Sequence, residues 1–158
     1  MKSVIIYYSL DGNTKFIANT INDELGGDII EIKPKKEIPN KGLMKFIFGG
    51  KQVVLGEKPE IEEVKVDFTK YDLIIFGTPI WAGNFAPVFN TFLEKNPIKN
   101  KKIILFCCHG GGKEGKAFIK FKEILKENKF LGEITIEDPL KKDVNDLEIK
   151  QWVRDTVK

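Results

Sequence analysis

The chain has 158 residues, 42% of them hydrophobic and 31% charged, a length that suits one domain rather than two. Its 17 aromatic rings, 12 of them Phe, exclude intrinsic disorder, and its only two cysteines, Cys107 and Cys108, exclude a disulfide scaffold. A net charge of +3 raises nucleic acid as a partner, but arginine occurs once, at Arg154, and the lysines are interleaved with acids, so no specific nucleic acid is expected.

The first residues run straight into an apolar stretch at 4–8, with no cleavable leader pattern, and this predicts a first strand. Ile17, Ile21 and Leu25 then recur at four-residue spacing and stop at Gly26 and Gly27, the signature of a helix and its C-terminal stop. Residues 28–32 alternate apolar and polar, which suits an edge strand. Residues 34–67 read as an irregular connection. Leu43, Phe46, Ile47, Val53, Val54 and Leu55 allow some helix there, but Gly49 and Gly50 are expected to interrupt it.

A third strand follows at 73–76, and Pro87 opens a short helix carrying Val88, Phe89, Phe92 and Leu93. Residues 103–108 form a fourth strand. Its adjacent cysteines point to opposite faces and read as core residues of a reduced compartment. Ala117, Phe118, Phe121, Ile124 and Leu125 mark another helix, 133–137 a fifth strand, and Leu147, Ile149, Trp152, Val153 and Val157 a closing helix. No apolar stretch approaches the ~18 residues of a membrane span. The expectation is therefore a cytoplasmic domain over 1–158 without a membrane partner.

The unbroken apolar runs at 4–8, 73–76 and 103–108 are those of strands covered on both faces. Strand and helix alternate, so the expected fold class is α/β, a doubly wound five-stranded parallel sheet with strand order 2-1-3-4-5. Such a sheet opens a crevice where its winding reverses, between strands one and three. Three loops border it. The first, Ser9, Leu10, Asp11, Gly12, Asn13 and Thr14, sets hydroxyl and amide groups beside the open N–H donors of a helix, either as an anion site or as an ordinary capped turn. It lacks the Gly-Lys-Ser/Thr ending of a nucleotide P-loop.

The second loop, 77–87, holds Thr78, Pro79, Ile80, Trp81, Ala82, Gly83 and Asn84. Trp81 there either stacks on a planar heterocycle or anchors the loop. In the third, 109–115, the glycines Gly110, Gly111 and Gly112 permit close backbone approach. His109, the only histidine, is either a neutral strand-end residue bonded to the backbone or a group whose charge tunes a bound cofactor.

Residues 5–21 resemble the signature of the flavodoxin family: Ile5, Ile6 and Tyr7, then Ser9, Gly12, Thr14, Ala18 and Ile21. Flavodoxins are themselves a type case of the 2-1-3-4-5 order. The resemblance implies non-covalent FMN. Ser9, Asn13, Thr14 and the loop amides would hold its phosphate, Trp81 would cover the isoalloxazine, Ala82 to Asn84 would face flavin N5, and the amides of 110–112 the pyrimidine edge. Asp11 stands where the family often has a hydroxyl. It is expected to turn outward and cap the helix rather than face a phosphate.

The implied function is electron transfer with unidentified redox partner proteins, by a monomer or weak homodimer. The alternative is a flavin-dependent NAD(P)H:quinone reductase on the same fold, because electron-shuttling flavodoxins are usually acidic and this chain is weakly basic. Whether the protein is a self-sufficient enzyme is left open. Two other classes of similar topology are set aside. A phospho-receiver needs paired acids after strand one, where Ser9 and Leu10 stand, and a small tyrosine phosphatase needs a cysteine in the first loop.

Overall fold

Val4, Ile5 and Ile6 offer solvent no polar atom on either face, so their segment is stable only as a strand covered on both sides. It is β1 (Ser3–Tyr7), buried throughout. The computed structural model describes residues 1–39 and 41–158. In it β1 pairs in parallel with β2 (Asp28–Glu31) on one side and β3 (Leu73–Trp81) on the other. A two-residue strand, β4 (Asn84–Phe85), folds back antiparallel on the end of β3. β5 (Lys102–His109) joins β3, and β6 (Lys129–Glu137) joins β5, both parallel. The order β2-β1-β3-β5-β6 is the expected five-strand order, with β4 as an addition.

Alternate strand residues serve opposite layers. Ile5, Ile75, Ile104 and Phe106 meet Ile17, Ala18 and Ile21 of α1 (Asn13–Leu25) and Ile149 and Val153 of α5 (Asp146–Thr156). On the other face Ile6, Phe76 and Leu105 meet Phe89 and Phe92 of α3 (Val88–Lys95) and Phe118 and Phe121 of α4 (Ala117–Ile124). Phe121 centres an aromatic cluster there, 4.6 Å from Phe85 and 5.2 Å from Phe89 between ring centroids. Leu147 and Ile124, counted with the apolar helix faces, are exposed instead.

Two expectations are corrected. Residues 42–54 form one continuous helix, α2 (Gly42–Val54), that passes through Gly49 and Gly50 without interruption. Two helical glycines cost about 1 kcal/mol each, but a Cβ on Gly49 would stand only 3.1 Å from the Trp81 ring, so the close approach of helix to strand uses that glycine. The side chain of Phe46, one of the residues that suggested helix, lies outside what the structure describes. The second loop is mostly not a loop: β3 continues to Trp81 and turns into β4 through Ala82 (φ 46°) and Gly83 (φ 71°). Pairing with Phe106, Cys107 and Cys108 of β5 extends it. Among the described residues no helix is long and apolar enough to cross a membrane.

Candidate functional site

The winding reverses between β1 and β3, and the loops leaving β1, β3 and β5 gather at that end of the sheet. The first loop turns at Gly12, whose N–H donates to Ser9 Oγ (3.1 Å). Phe16 N–H makes the first intrahelical bond, to the Gly12 carbonyl. The N–H groups of Thr14 and Lys15 in the first turn are therefore open donors at the positive end of α1. The Thr14 side chain is fully buried, and among the described residues its hydroxyl meets no nitrogen or oxygen partner, only the weakly polar Cys108 thiol. A buried hydroxyl beside open N–H donors fits an anionic oxygen, because such an oxygen would satisfy all of them together.

Asp11 does not cap α1, whose N-cap is Gly12 and has no side-chain cap; its Oδ1 accepts from Asn13 N–H in a local turn (3.3 Å), and its Oδ2 lies 3.8 Å from Lys45 Nζ of α2. The carboxylate is thus committed to a backbone donor and to a cation. Asn13 turns to the loop after β6, where its Oδ1 accepts from Leu140 N–H (3.1 Å). Leu10 packs against the core from the loop.

Trp81 and Tyr8 meet edge to face, centroids 5.5 Å apart, and α2 lies over the indole at Gly49. Trp81 is half-buried, so part of its ring is packed and part stays open to solvent. Thr78 is fully buried. Its hydroxyl donates to the Pro79 carbonyl (2.9 Å) and accepts from Ala86 N–H (3.0 Å), which braces the hairpin from within. Pro79 is buried beside it and Ile80 half-buried, whereas Ala82 and Gly83 are exposed at the tip. Asn84 is buried, and its side chain accepts from Phe85 N–H. The hairpin therefore offers its tip and Trp81, while Thr78, Pro79 and Asn84 hold it up.

The third loop is tied to that tip. Lys116 N–H donates to the Gly83 carbonyl (2.7 Å), and a Cβ on Gly115 (φ 55°) would collide with the same carbonyl, so glycine is required there. Gly110, Gly111 and Gly112 are exposed. His109 is buried at the end of β5, and its Nδ1 accepts from Gly111 N–H (3.0 Å). That is the backbone-bonded arrangement.

Tyr8, Glu37 and Lys45 were not anticipated from sequence. Tyr8 O–H donates to Glu37 Oε2 (3.0 Å), and burial raises the Glu37 carboxyl above its usual range. Glu37 and Lys45 lie in the segment whose periodicity was ambiguous, and no motif there marks them. A concavity of about 700 Å³ lies at the opposite end of the sheet between Asp72, Lys102 and Lys129. It faces the amino ends of β5 and β6, whereas ligands of such sheets sit at the carboxyl ends. Among the described residues no cluster of His, Cys, Asp and Glu could hold a metal.

Known proteins resemble this chain in sequence and in fold. The chain matches the flavodoxin family over residues 2–156. It is 31% identical over 137 residues to the flavodoxin-like domain-containing protein BilS of Clostridioides difficile (strain CD3), covering 84% of this chain but 63% of that protein. The chain thus spans under two thirds of that relative. A flavoprotein from Lactobacillus acidophilus NCFM, solved in complex with FMN, is 26% identical with TM-score 0.71, over 90% of this chain and 96% of that one. A solved Bacteroides uniformis protein superposes with TM-score 0.84 over 97% of each chain, and at 21% identity this speaks of the fold alone. With the sheet order, the first-loop signature and a match over nearly its whole length, the chain belongs to the flavodoxin family.

Proposed function

We propose that the chain binds FMN non-covalently at these loops and passes electrons through it to and from redox partner proteins. The observation that carries the reading is the buried Thr14 hydroxyl, bonded to no nitrogen or oxygen, beside the open first-turn N–H groups of α1. The FMN complex of the Lactobacillus acidophilus relative supports it. When bound, the flavin supplies one- and two-electron redox chemistry. The chain's own part is binding and orientation. Thr14 and the N–H donors of the first turn take the phosphate, with Ser9 shaping the loop. Trp81 and the hairpin tip present the side of the ring, and the exposed backbone of 110–112 its edge. Asp11 stays out of the phosphate site because Asn13 and Lys45 occupy its carboxylate.

Titration of the purified protein with FMN, followed by absorbance and flavin fluorescence, tests the reading. Quenched fluorescence with much weaker binding of riboflavin is expected, since riboflavin lacks the phosphate. A colourless protein that leaves FMN fluorescence unchanged overturns it. Carrier and reductase separate by turnover. Slow NADH and NADPH oxidation by the loaded protein alone supports the carrier, and rapid multiple-turnover quinone reduction assigns it to the reductases.

A further inference from the structure

Helix α2 is apolar on the side turned away from the body of the protein. Such helices ordinarily turn an apolar stripe inward and a polar one outward. Here the packed side presents Gly49 to the Trp81 ring and Lys45 to Asp11. The outward side carries Leu43, Met44, Ile47, Phe48 and Val54, with Leu55 at the cap, exposed from 40% at Phe48 to 78% at Val54. At 3.6 residues per turn these six fall within an arc of about 140°, interrupted only by Lys51. An arc of that width without a cover is an interaction surface.

Charge accompanies the apolar side chains. Residues 33–58 hold seven lysines and two glutamates, a surplus of five positive charges, while the whole chain carries +3. The rest of the molecule is therefore net negative, and its positive charge is gathered around the one element that exposes an apolar ridge. We infer that α2 is an interfacial helix that docks the protein on an anionic lipid surface, its apolar arc among the acyl chains and its lysines at the headgroups.

Three features select this occupant. The combination of Leu, Ile, Phe and Val with lysine on one helix is that of interfacial helices, and long lysine stems reach headgroups while their methylenes stay in the apolar layer. Energetic centres of protein–protein contacts are instead rich in Trp, Tyr and Arg. α2 has none of these, and the one arginine pairs with Glu24 on α5's side of the sheet. A second copy is disfavoured by charge, because a two-fold contact through α2 would bring two such positive segments together. Docking needs no spanning segment, so it is compatible with the absence of a long apolar helix. Because α2 also covers Trp81 and pairs with Asp11, the docked membrane would lie beside the candidate site.

The test is co-sedimentation of the full chain with vesicles of pure phosphatidylcholine and of an equimolar mixture with phosphatidylglycerol. The proposal expects binding to the mixture at least roughly tenfold tighter than to the neutral vesicles, weakening with salt. Leu43→Glu with Ile47→Glu should lower it tenfold or more, and Lys41→Gln with Lys51→Gln should lower it while leaving the far-ultraviolet spectrum and melting temperature unchanged. All four positions are exposed, so the fold does not depend on them. Equal pelleting of wild type and both variants overturns the proposal, as does no binding at all, which would leave an acidic protein groove as the occupant. Self-association without vesicles, abolished by Leu43→Glu with Ile47→Glu, assigns the face to a second copy and also overturns it.

Discussion

A buried hydroxyl without a partner costs about 1–3 kcal/mol, and in the ligand-free protein Thr14 has only the weak Cys108 thiol to offset that cost. Thr14→Val keeps the shape and removes the cost, so the apo protein should melt at the same temperature or higher. FMN affinity should fall roughly tenfold or more with riboflavin affinity unchanged, since a bond to a charged oxygen is worth about 1.5–3 kcal/mol. Loss of both affinities together would place Thr14 in the scaffold. Asp11 invites the complementary experiment. With its carboxylate held by Asn13 N–H and Lys45, Asp11→Thr should change FMN affinity less than about tenfold, and Asp11→Ala should cost at most about 1 kcal/mol of stability by removing an exposed turn bond and an ion pair. Tenfold tighter FMN binding by Asp11→Thr alone would show the acid facing the phosphate. Glu37 gives a pH dependence. Burial raises its folded pKa above the ordinary 4.5, so the folded state holds its proton longer than the unfolded chain. Its contribution is therefore most favourable below that ordinary value and is lost as pH rises through the folded pKa. Glu37→Gln keeps an acceptor for Tyr8 and should flatten the melting temperature over ~pH 4–7 relative to wild type.

Adjacent glycines in α2 separate two effects that the sequence presents as one. A Cβ at Gly49 would press on the Trp81 ring at 3.1–3.2 Å, whereas a Cβ at Gly50 meets nothing within 4 Å. Gly50→Ala removes only the entropy penalty of a helical glycine, so it should stabilise by about 0.5–1 kcal/mol, raising Tm by about 2–4 °C. Gly49→Ala should lower Tm and shift the Trp81 fluorescence, because helix or indole must move. If the two variants behave alike, α2 does not rest on the hairpin. The other glycine-dependent contact joins the third loop to the β3–β4 hairpin at Gly115 and Gly83.

Across the whole molecule the two thiols report on the core. Cys107 and Cys108 are buried in opposite layers of the sheet, and burial raises both thiols, Cys108 to about 12. The thiolate is the reactive form, so neither should react with a thiol reagent in the native state at neutral pH. Labelling should proceed at one common rate that tracks global unfolding, since each cysteine lies in a central strand paired on both sides. Faster labelling of either would reveal a local opening of β5.

What the sequence by itself determined is the scaffold. Runs such as 4–8 and 103–108 have no polar residue to expose, so burial on both faces and a parallel sheet follow from the side chains alone. The helix stop at Gly26 and the loop chemistry of Ser9, Gly12 and Thr14 are likewise local, set within a few residues. Tertiary structure decided whatever depends on distant partners. Trp81 stood in an apparent loop until β5 and β4 paired with its segment, and Gly49 looked like a helix breaker until the indole beneath it made a glycine the residue that fits. Thr78 reads as a loop hydroxyl in the chain and proves to be spent on Ala86 and Pro79. The outward face of α2 was illegible for the same reason. Periodicity marks an apolar arc but not which side of the helix meets the body of the protein, and here Gly49 and Lys45 make the contacts with Trp81 and Asp11.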